Sequence, residues 1–541
     1  MEAETILQNG VIVSMDDDHH YFKAIAIKNG RIIALGDNSD VQQYTGKDTK
    51  VIDLEGKTVV PGLIDAHQHM FSTGFNLQNV DCRVTSIKEM VERVKERAQF
   101  CDPEEWIIGW GFDESSLTEK RLPTKDDFVD INNPIFISRY CLHAAVVNDT
   151  ALKTAGVTKE STVDTGELKK DNNGELTGVL KEEAMDLVTA KMPPYSTEQM
   201  KQALRLADKY YVQHGITAVH EAGFGFITGS FKEYTVFNDM VENQSLNVRM
   251  NGMILNRFYK NARDMNLKPG SGSHRLKIGP IKMFADGTIS GMTASVTKAY
   301  RDNNGYGQLV HSYEDLARSV LEVHKAGWQI AIHAIGDHAV KQVLDAYENA
   351  LEKFPRSDCR HRIEHASIAN KNLLQRMSRL GIISVPQPSL IHLAGDVYME
   401  NLQDDVINHV FAINSFCKYG LTPAGSSDSP ATPCSPMLGI YTAVSRETKN
   451  GKCFIPEERV SLYEALKMYT KHAAYASFEE TEKGTLEVGK LGDLTILPKG
   501  FLNFSPQQIK NTEIDMTIIG GEIIYEKERD FNEKQREKEF N

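Results

Sequence analysis

Histidines 67 and 69 close the apolar run VVPGLIDAHQHM at residues 59–70, separated by one glutamine. In an extended segment residues i and i+2 project from the same face, so both imidazoles aim at one point and can share a metal ion. The pair alone decides little, because 17 histidines in 541 residues give roughly 0.5 His-x-His by chance, the usual false-positive risk of a short motif. Four more residues extend the set: Lys282 in KMFADG, His333 in AIHAIGD, His365 in RIEHA and Asp428 in GSSDSP, each near the end of a short strand-like stretch. Four neutral imidazoles and a carboxylate suit zinc or a neighbouring first-row metal, and their number fits two ions. Asp428 is placed both to bind an ion and to handle a proton. Lys282 is the odd member, since an ammonium repels cations. It becomes a ligand only if its neutral amine captures carbon dioxide as a carbamate, which a buried lysine that loses its proton readily can do. The alternative is an ion pair of Lys282 with Glu364 or Asp286, because buried charges need partners. Asp286-Gly287 reads as a turn and stays out of the metal set.

These residues meet only if the intervening elements bring them together. Short apolar strands such as ITAVHEAG, VRMNGMIL, LKIGPIKMFADG, QIAIHAIGD, RHRIEHA, GIISVPQPSL and LTPAGSSDSP alternate with helical stretches such as AVKQVLDAYENALEKF, the pattern of an α/β fold. With GLIDAHQH they make eight strands, the number of a (β/α)8 TIM barrel. His333 and His365 are 32 residues apart, one strand-helix unit, and His365 and Asp428 are 63 apart, close to two. Polar residues thus recur at the C-terminal ends of strands, where barrel active sites are assembled. The stretch from about 72 to 214 breaks the repeat and reads as an insertion after the first barrel strand that helps roof the site. Residues 1–60 carry short strands with Asn-Gly turns at 9–10 and 29–30. A matching pattern returns in GTLEVGKLGDLTILP and MTIIGGEIIYE. The expected organisation is a small β-sandwich from 1–60 plus 484–528, a barrel over 61–483, and a solvated charged tail at 529–541.

Composition narrows the partners. The formal charge is −13 and no Lys/Arg block stands out, which argues against nucleic acid or an anionic membrane and for a small-molecule substrate. The N-terminus lacks a basic start followed by a long apolar stretch, and no run of about 18 apolar residues occurs, so a cytoplasmic location is expected. Seven scattered cysteines without C-x-x-C point to reduced, buried thiols and not to a disulfide framework.

The segments PGLIDAHQH, GWGFD, LHAAVVNDTAL, TGVLKEEA, GITAVHEAG, KMFADG, AIHAIGDHAV, RIEHAS, GSSDSP and LGDLTIL, in this order, resemble the amidohydrolase superfamily and its YtcJ-like branch, which includes N-substituted formamide deformylase. The resemblance spans essentially the whole chain. It implies a binuclear metal centre in which His67, His69 and Asp428 hold one ion, His333 and His365 the second, and carboxylated Lys282 bridges two divalent ions, expected to be Zn2+. It further implies hydrolysis of an amide C–N bond by a metal-bound hydroxide with Asp428 as general acid and base, and is compatible with a homodimer. His143 resembles the family's pocket-lining histidine, and Trp110, Arg301 and Gln387 are weaker candidates for facing substrate. A ring deaminase, or a lactam or ester hydrolase, would use a similar site, and ammonia release from aminopyrimidines would mark the deaminase. A non-catalytic binding protein would predict lost ligands, yet all six positions are filled. Two decoys are set aside: DDDHH at 16–20 reads as a solvated turn, and GFGFITG at 223–229 lacks the spacing of a nucleotide loop.

Overall fold

The computed structural model describes residues 1–114, 116–139, 144–163, 166–302 and 304–527. Among them, seven parallel strands form one sheet: β1 (Leu63–Gln68), β2 (Ile216–Phe224), β3 (Arg249–Leu255), β4 (Leu276–Phe284), β5 (Ile330–Ala334), β6 (Arg362–His365) and β7 (Ile383–Val385), each beside its sequence neighbour. β2 and β3 are buried along their whole length, as strands covered by crossover helices on one side and a filled barrel on the other must be. Helices such as Tyr313–Lys325 and Asp337–Lys353 return the chain between strands. The first starts at Ser312, whose side chain accepts the Asp315 N–H and so caps it.

The expected eighth strand does not form a regular ladder. Instead residues 421–428 close the gap between β7 and β1 through separate backbone bonds. The Ala424 N–H donates to the Ser384 carbonyl (3.0 Å), the Ala66 N–H to Gly425 (3.1 Å) and the Asp428 N–H to His67 (2.8 Å). Pro423 has no N–H to give, and Asp428 turns out of strand geometry with φ +57°. Gly425 is required by contact and not by a sharp turn, since a Cβ there would come 2.7 Å from the Tyr469 ring.

Two smaller sheets flank the barrel strands in sequence. One contains Thr5–Gln8, Ala24–Lys28, Arg31–Gly36 and Lys50–Asp53. In the other, Leu494–Leu497 runs antiparallel to Thr58–Pro61 with Ile496 opposite Val59, so the two ends of the chain share a sheet. Leu7, Ile25 and Ile27 of the first pack with Ile12, Val59, Leu494 and Ile518 of the second in one core. Asp493, in the LGDLTIL segment, fastens these sheets to the barrel: its buried carboxylate takes two bonds from Arg249 of β3 (2.7 and 2.8 Å) and one from the Gly520 N–H (2.8 Å).

Residues Phe71–Leu206 form a compact unit of their own with a six-stranded sheet. Among the described residues the cysteines are unpaired. Cys453 is exposed and Cys101 and Cys417 are half-buried, which corrects the expectation of uniform burial. No helix of the described residues is long and apolar enough to cross a membrane. Residues 529–541, His143 and Cys141 lie outside the described residues.

Candidate metal centre

His67 and His69 sit at the C-terminal end of β1 and Asp428 at the end of the closing segment. Their ligand atoms lie within 4.8 Å of one another. His67 Nε2 and His69 Nε2 both face Asp428 Oδ1, at 3.5 and 3.4 Å. Ligands held tetrahedrally at about 2.1 Å from zinc are themselves about 3.4 Å apart, so the three donors are spaced as the edges of one coordination shell. The second pair closes in from the far strands. The His365 ring lies 5.0 Å from that of His67 and 4.5 Å from that of His333.

Each of three histidines has its other nitrogen tied down, which sets the tautomer and leaves one lone pair free. His67 Nδ1–H donates to Glu364, whose carboxylate is itself gripped by Arg362 at 2.7 and 2.8 Å. His365 Nδ1–H donates to Gln387 Oε1 at 2.6 Å, and the Gln387 amide is oriented by donating to Val385 (2.8 Å) and Ser426 (2.9 Å). His333 Nε2–H donates to the Gly287 carbonyl at 3.0 Å. Burial, and then the Lys282 charge, push His67 down to about 3. Burial likewise holds His333 and His365 below the ordinary imidazole value. All three are therefore neutral, as metal ligands must be. His69 differs. Burial opposes its charge, but Asp428 and Glu221 together pull it up to about 9, and among the described residues its buried Nδ1 lacks a hydrogen-bond partner, with Glu221 3.7 Å away. Ligation of His69 would displace that proton. Asp428 is held below the ordinary carboxylate range, burial being outweighed by His69, His67 and His365.

Lys282 lies two residues before the end of β4, is 1% exposed, and is pushed down by burial to about 8, against the pull of Glu364 and Asp428. Among the described residues no carboxylate comes within ion-pair distance of its Nζ. Both partners considered for a plain ion pair are engaged elsewhere. Glu364 holds Arg362 and His67, and Asp286 accepts the N–H groups of Ile335 (2.9 Å), Gly336 (2.8 Å) and Ser295 (2.9 Å). Asp286 thus anchors the loop after β5, a larger task than a turn.

The other candidates separate. Gln387 orients His365, its carbonyl oxygen facing that imidazole. Arg301 is bound to the Leu402 carbonyl and Asp404. Trp110 lies on the sheet of the 71–206 unit under the Arg83 guanidinium, 4.6 Å from its ring centroid. Sequence reasoning passed over Asp65, two residues before His67, whose carboxylate accepts the Ser427 N–H (3.0 Å) and hydroxyl and so ties β1 to the closing segment; burial pushes it up to about 7. It also missed Phe226, whose ring stacks on His69 at 4.6 Å. The GFGFITG loop that carries Phe226 does cradle an anion, but an internal one. Gly225, Ile227 and Thr228 point their N–H groups at the buried Glu233 carboxylate. DDDHH is a surface turn closed by Asp16 and His20 at 2.6 Å.

A second cluster, His324, Cys359 and His361, has donor atoms equally close together, yet its imidazoles have no lone pair to offer. The Ile330 N–H donates to His361 Nδ1 (3.1 Å), His361 Nε2–H to His324 Nδ1 (2.9 Å), and His324 Nε2–H to the Phe354 carbonyl (2.7 Å). It is a hydrogen-bonded brace.

The Amidohydrolase family matches residues 50–525. The chain belongs to this family. It is 30% identical over 534 residues to YtcJ of Bacillus subtilis, covering 97% of this chain and the whole of that protein. To the N-substituted formamide deformylase of Arthrobacter pascens it is 29% identical over 544 residues, covering 97% of this chain and 98% of that one. A metal-dependent hydrolase from Pyrococcus furiosus superposes with a TM-score of 0.78 at 27% identity, covering 92% of this chain and 99% of that one. The protein is thus an enzyme of the metal-dependent amidohydrolase superfamily.

Proposed function

We propose that the chain hydrolyses the C–N bond of a small N-substituted formamide or related amide, with two divalent ions, such as Zn2+, in the centre. His67, His69 and Asp428 would hold one ion, His333 and His365 the other, and Lys282, as its carbamate, would bridge them. When bound, such ions activate a water at neutral pH and polarise the substrate carbonyl. The chain's own residues then govern the protons. Asp428, ionised and facing both His67 and His69, accepts the proton of the attacking water as oxygen joins the carbonyl carbon. It returns that proton to the leaving nitrogen as the C–N bond breaks, giving a carboxylic acid and an amine. Glu364 and Gln387 keep the His67 and His365 rings aimed inward throughout. Carbamate formation at Lys282 needs a neutral amine, which burial favours against the pull of Glu364 and Asp428.

The observation that carries this reading is the convergence of His67, His69 and Asp428 at coordination spacing, with the histidines of β5 and β6 alongside. Metal analysis of protein purified from metal-replete medium should find close to two divalent ions per chain. The same protein should release acid and amine from a panel of formamides, N-acyl amines and N-acyl amino acids. A metal-free preparation with full amide turnover would end the proposal.

A further inference from the structure

A cavity of about 330 Å³ lies at the N-terminal ends of β4, β5 and β6, opposite the end that carries the metal-centre residues. Lys277, the second residue of β4, stands beside its register partner Asn251 of β3, so the two side chains share a face of the sheet. Gly279, two residues on and on the same face, makes room for the Asn251 amide, since a Cβ there would collide with Asn251 Oδ1. Gln329, Arg356 and Ser477 complete the polar part of the wall.

The hydrogen-bonding groups of this wall are spent unevenly. Asn251 is 2% exposed, and among the described residues its Oδ1 has no hydrogen-bond partner. A buried acceptor left so is costly unless something else brings a proton to it. Gln329 gives its amide nitrogen to the Arg360 and Ala476 carbonyls (2.6 and 3.0 Å), which leaves its oxygen. The Ser477 hydroxyl is turned to the Ala474 carbonyl (3.0 Å), which leaves its lone pairs. The neutral groups therefore offer acceptors. The charged groups offer the opposite. Lys277 gives one proton to the Phe478 carbonyl (3.1 Å), and Arg356 gives three N–H bonds to the carbonyls of His324, Gly327 and Trp328 (2.7–3.1 Å). Two donors remain on each cation, and the partners just named are neutral. Asp358, also in the wall, is held by Arg360 at 2.7 and 3.0 Å. We propose that this cavity binds a polyhydroxylated carboxylate, a small sugar acid, whose hydroxyls donate to Asn251, Gln329 and Ser477 while its carboxylate lies between Lys277 and Arg356. The site is independent of the reaction at the metal centre.

Calorimetric titration of the metal-loaded chain with gluconate should give saturable binding of one molecule per chain. Sorbitol, which keeps the hydroxyls without the charge, and hexanoate, which keeps the charge without the hydroxyls, should each bind at least about tenfold more weakly, the effect of losing a charge-assisted hydrogen bond or several neutral ones. Lys277→Met and Asn251→Leu should each weaken gluconate by about tenfold or more. Both should keep the wild-type metal content, because Lys277 lies five residues, about 16 Å, before Lys282 along β4. A sugar acid can also chelate an ion, so the variants decide where it sits. Affinity unchanged in either folded variant places gluconate elsewhere and overturns the site; should Asn251→Leu fail to fold, Lys277→Met alone decides. No saturable binding to the wild type, or gluconate binding no tighter than sorbitol and hexanoate, overturns it as well.

Discussion

The neighbours of Asp428 fix both its backbone and the direction of its carboxylate. Its backbone sits in the left-handed region at φ +57°, a conformation that aspartate and asparagine tolerate better than most side chains. Its N–H bonds to the His67 carbonyl, and its Oδ1 faces the Nε2 atoms of both β1 histidines. Asp428→Asn preserves that backbone and one oxygen donor but cannot accept the proton of the attacking water. Metal content should fall modestly while kcat falls at least about a hundredfold, the lower range for loss of a general acid-base group. Near-normal turnover in a folded, metal-loaded variant would remove Asp428 from proton transfer. His365 and Ala366 share the left-handed conformation at φ +70° and +45°. Left-handed backbone thus occurs on both sides of the centre, where aiming a side chain outweighs local preference.

At the scale of elements, the clamp between Arg249 of β3 and Asp493 has a calculable consequence. Both side chains are 3% exposed. Burial pushes the Asp493 carboxyl up, but Arg249 and the Gly520 N–H more than offset this and hold it below its ordinary value. A depressed carboxyl contributes stability that is full above the unfolded-state pKa of about 3.9 and is lost as pH falls through the lower folded value. Asp493→Asn leaves a buried guanidinium uncompensated, which costs about 3–5 kcal/mol. Urea titrations should show that gap intact at pH 7 and at pH 5, and narrowing only below about pH 4; equal stabilities at pH 7 would show that the clamp contributes nothing. LGDLTIL was legible in the sequence as a motif, yet its structural task was not, because Arg249 lies 244 residues away. The barrel strands were legible for a plainer reason, since short apolar runs alternate with amphipathic helical stretches and two of the histidines are one strand-helix unit apart. The eighth was misread because LTPAGSSDSP has a strand's length and place in the repeat but, in Pro423 and the turn at Asp428, lacks the means to sustain a ladder. Phe226 escaped, and the hold of Gln387 on His365 went unseen, because both depend on which histidine ring lies opposite, and spacing along the chain does not encode that.

Over the whole molecule, the weakest seam of the barrel coincides with its candidate ligands. Between β7 and β1 the sheet is closed by single backbone bonds from the 421–428 segment and by the Asp65–Ser427 contact, and not by a continuous ladder. His67 and His69 lie on one side of that seam and Asp428 on the other, so an ion held by all three would cross-link it. An ion that binds only the folded state stabilises by RT ln(1 + [L]/Kd), about 2.7 kcal/mol when the free ion is at one hundred times Kd. Stripping metal with a chelator should therefore lower Tm, and returning Zn2+ should raise it in a concentration-dependent way. Hydrogen exchange should localise the loss, with protection falling first at residues 63–70 and 421–428 while β3 and β4 stay protected, because those strands are paired with a neighbouring strand on both sides. His69→Ala should shift Tm down in the presence of Zn2+ and respond little to chelator. A Tm indifferent to chelator in the wild type, with exchange unchanged at the seam, would show that the barrel closes without help from the ion and that the convergence of β1 with the closing segment serves chemistry alone.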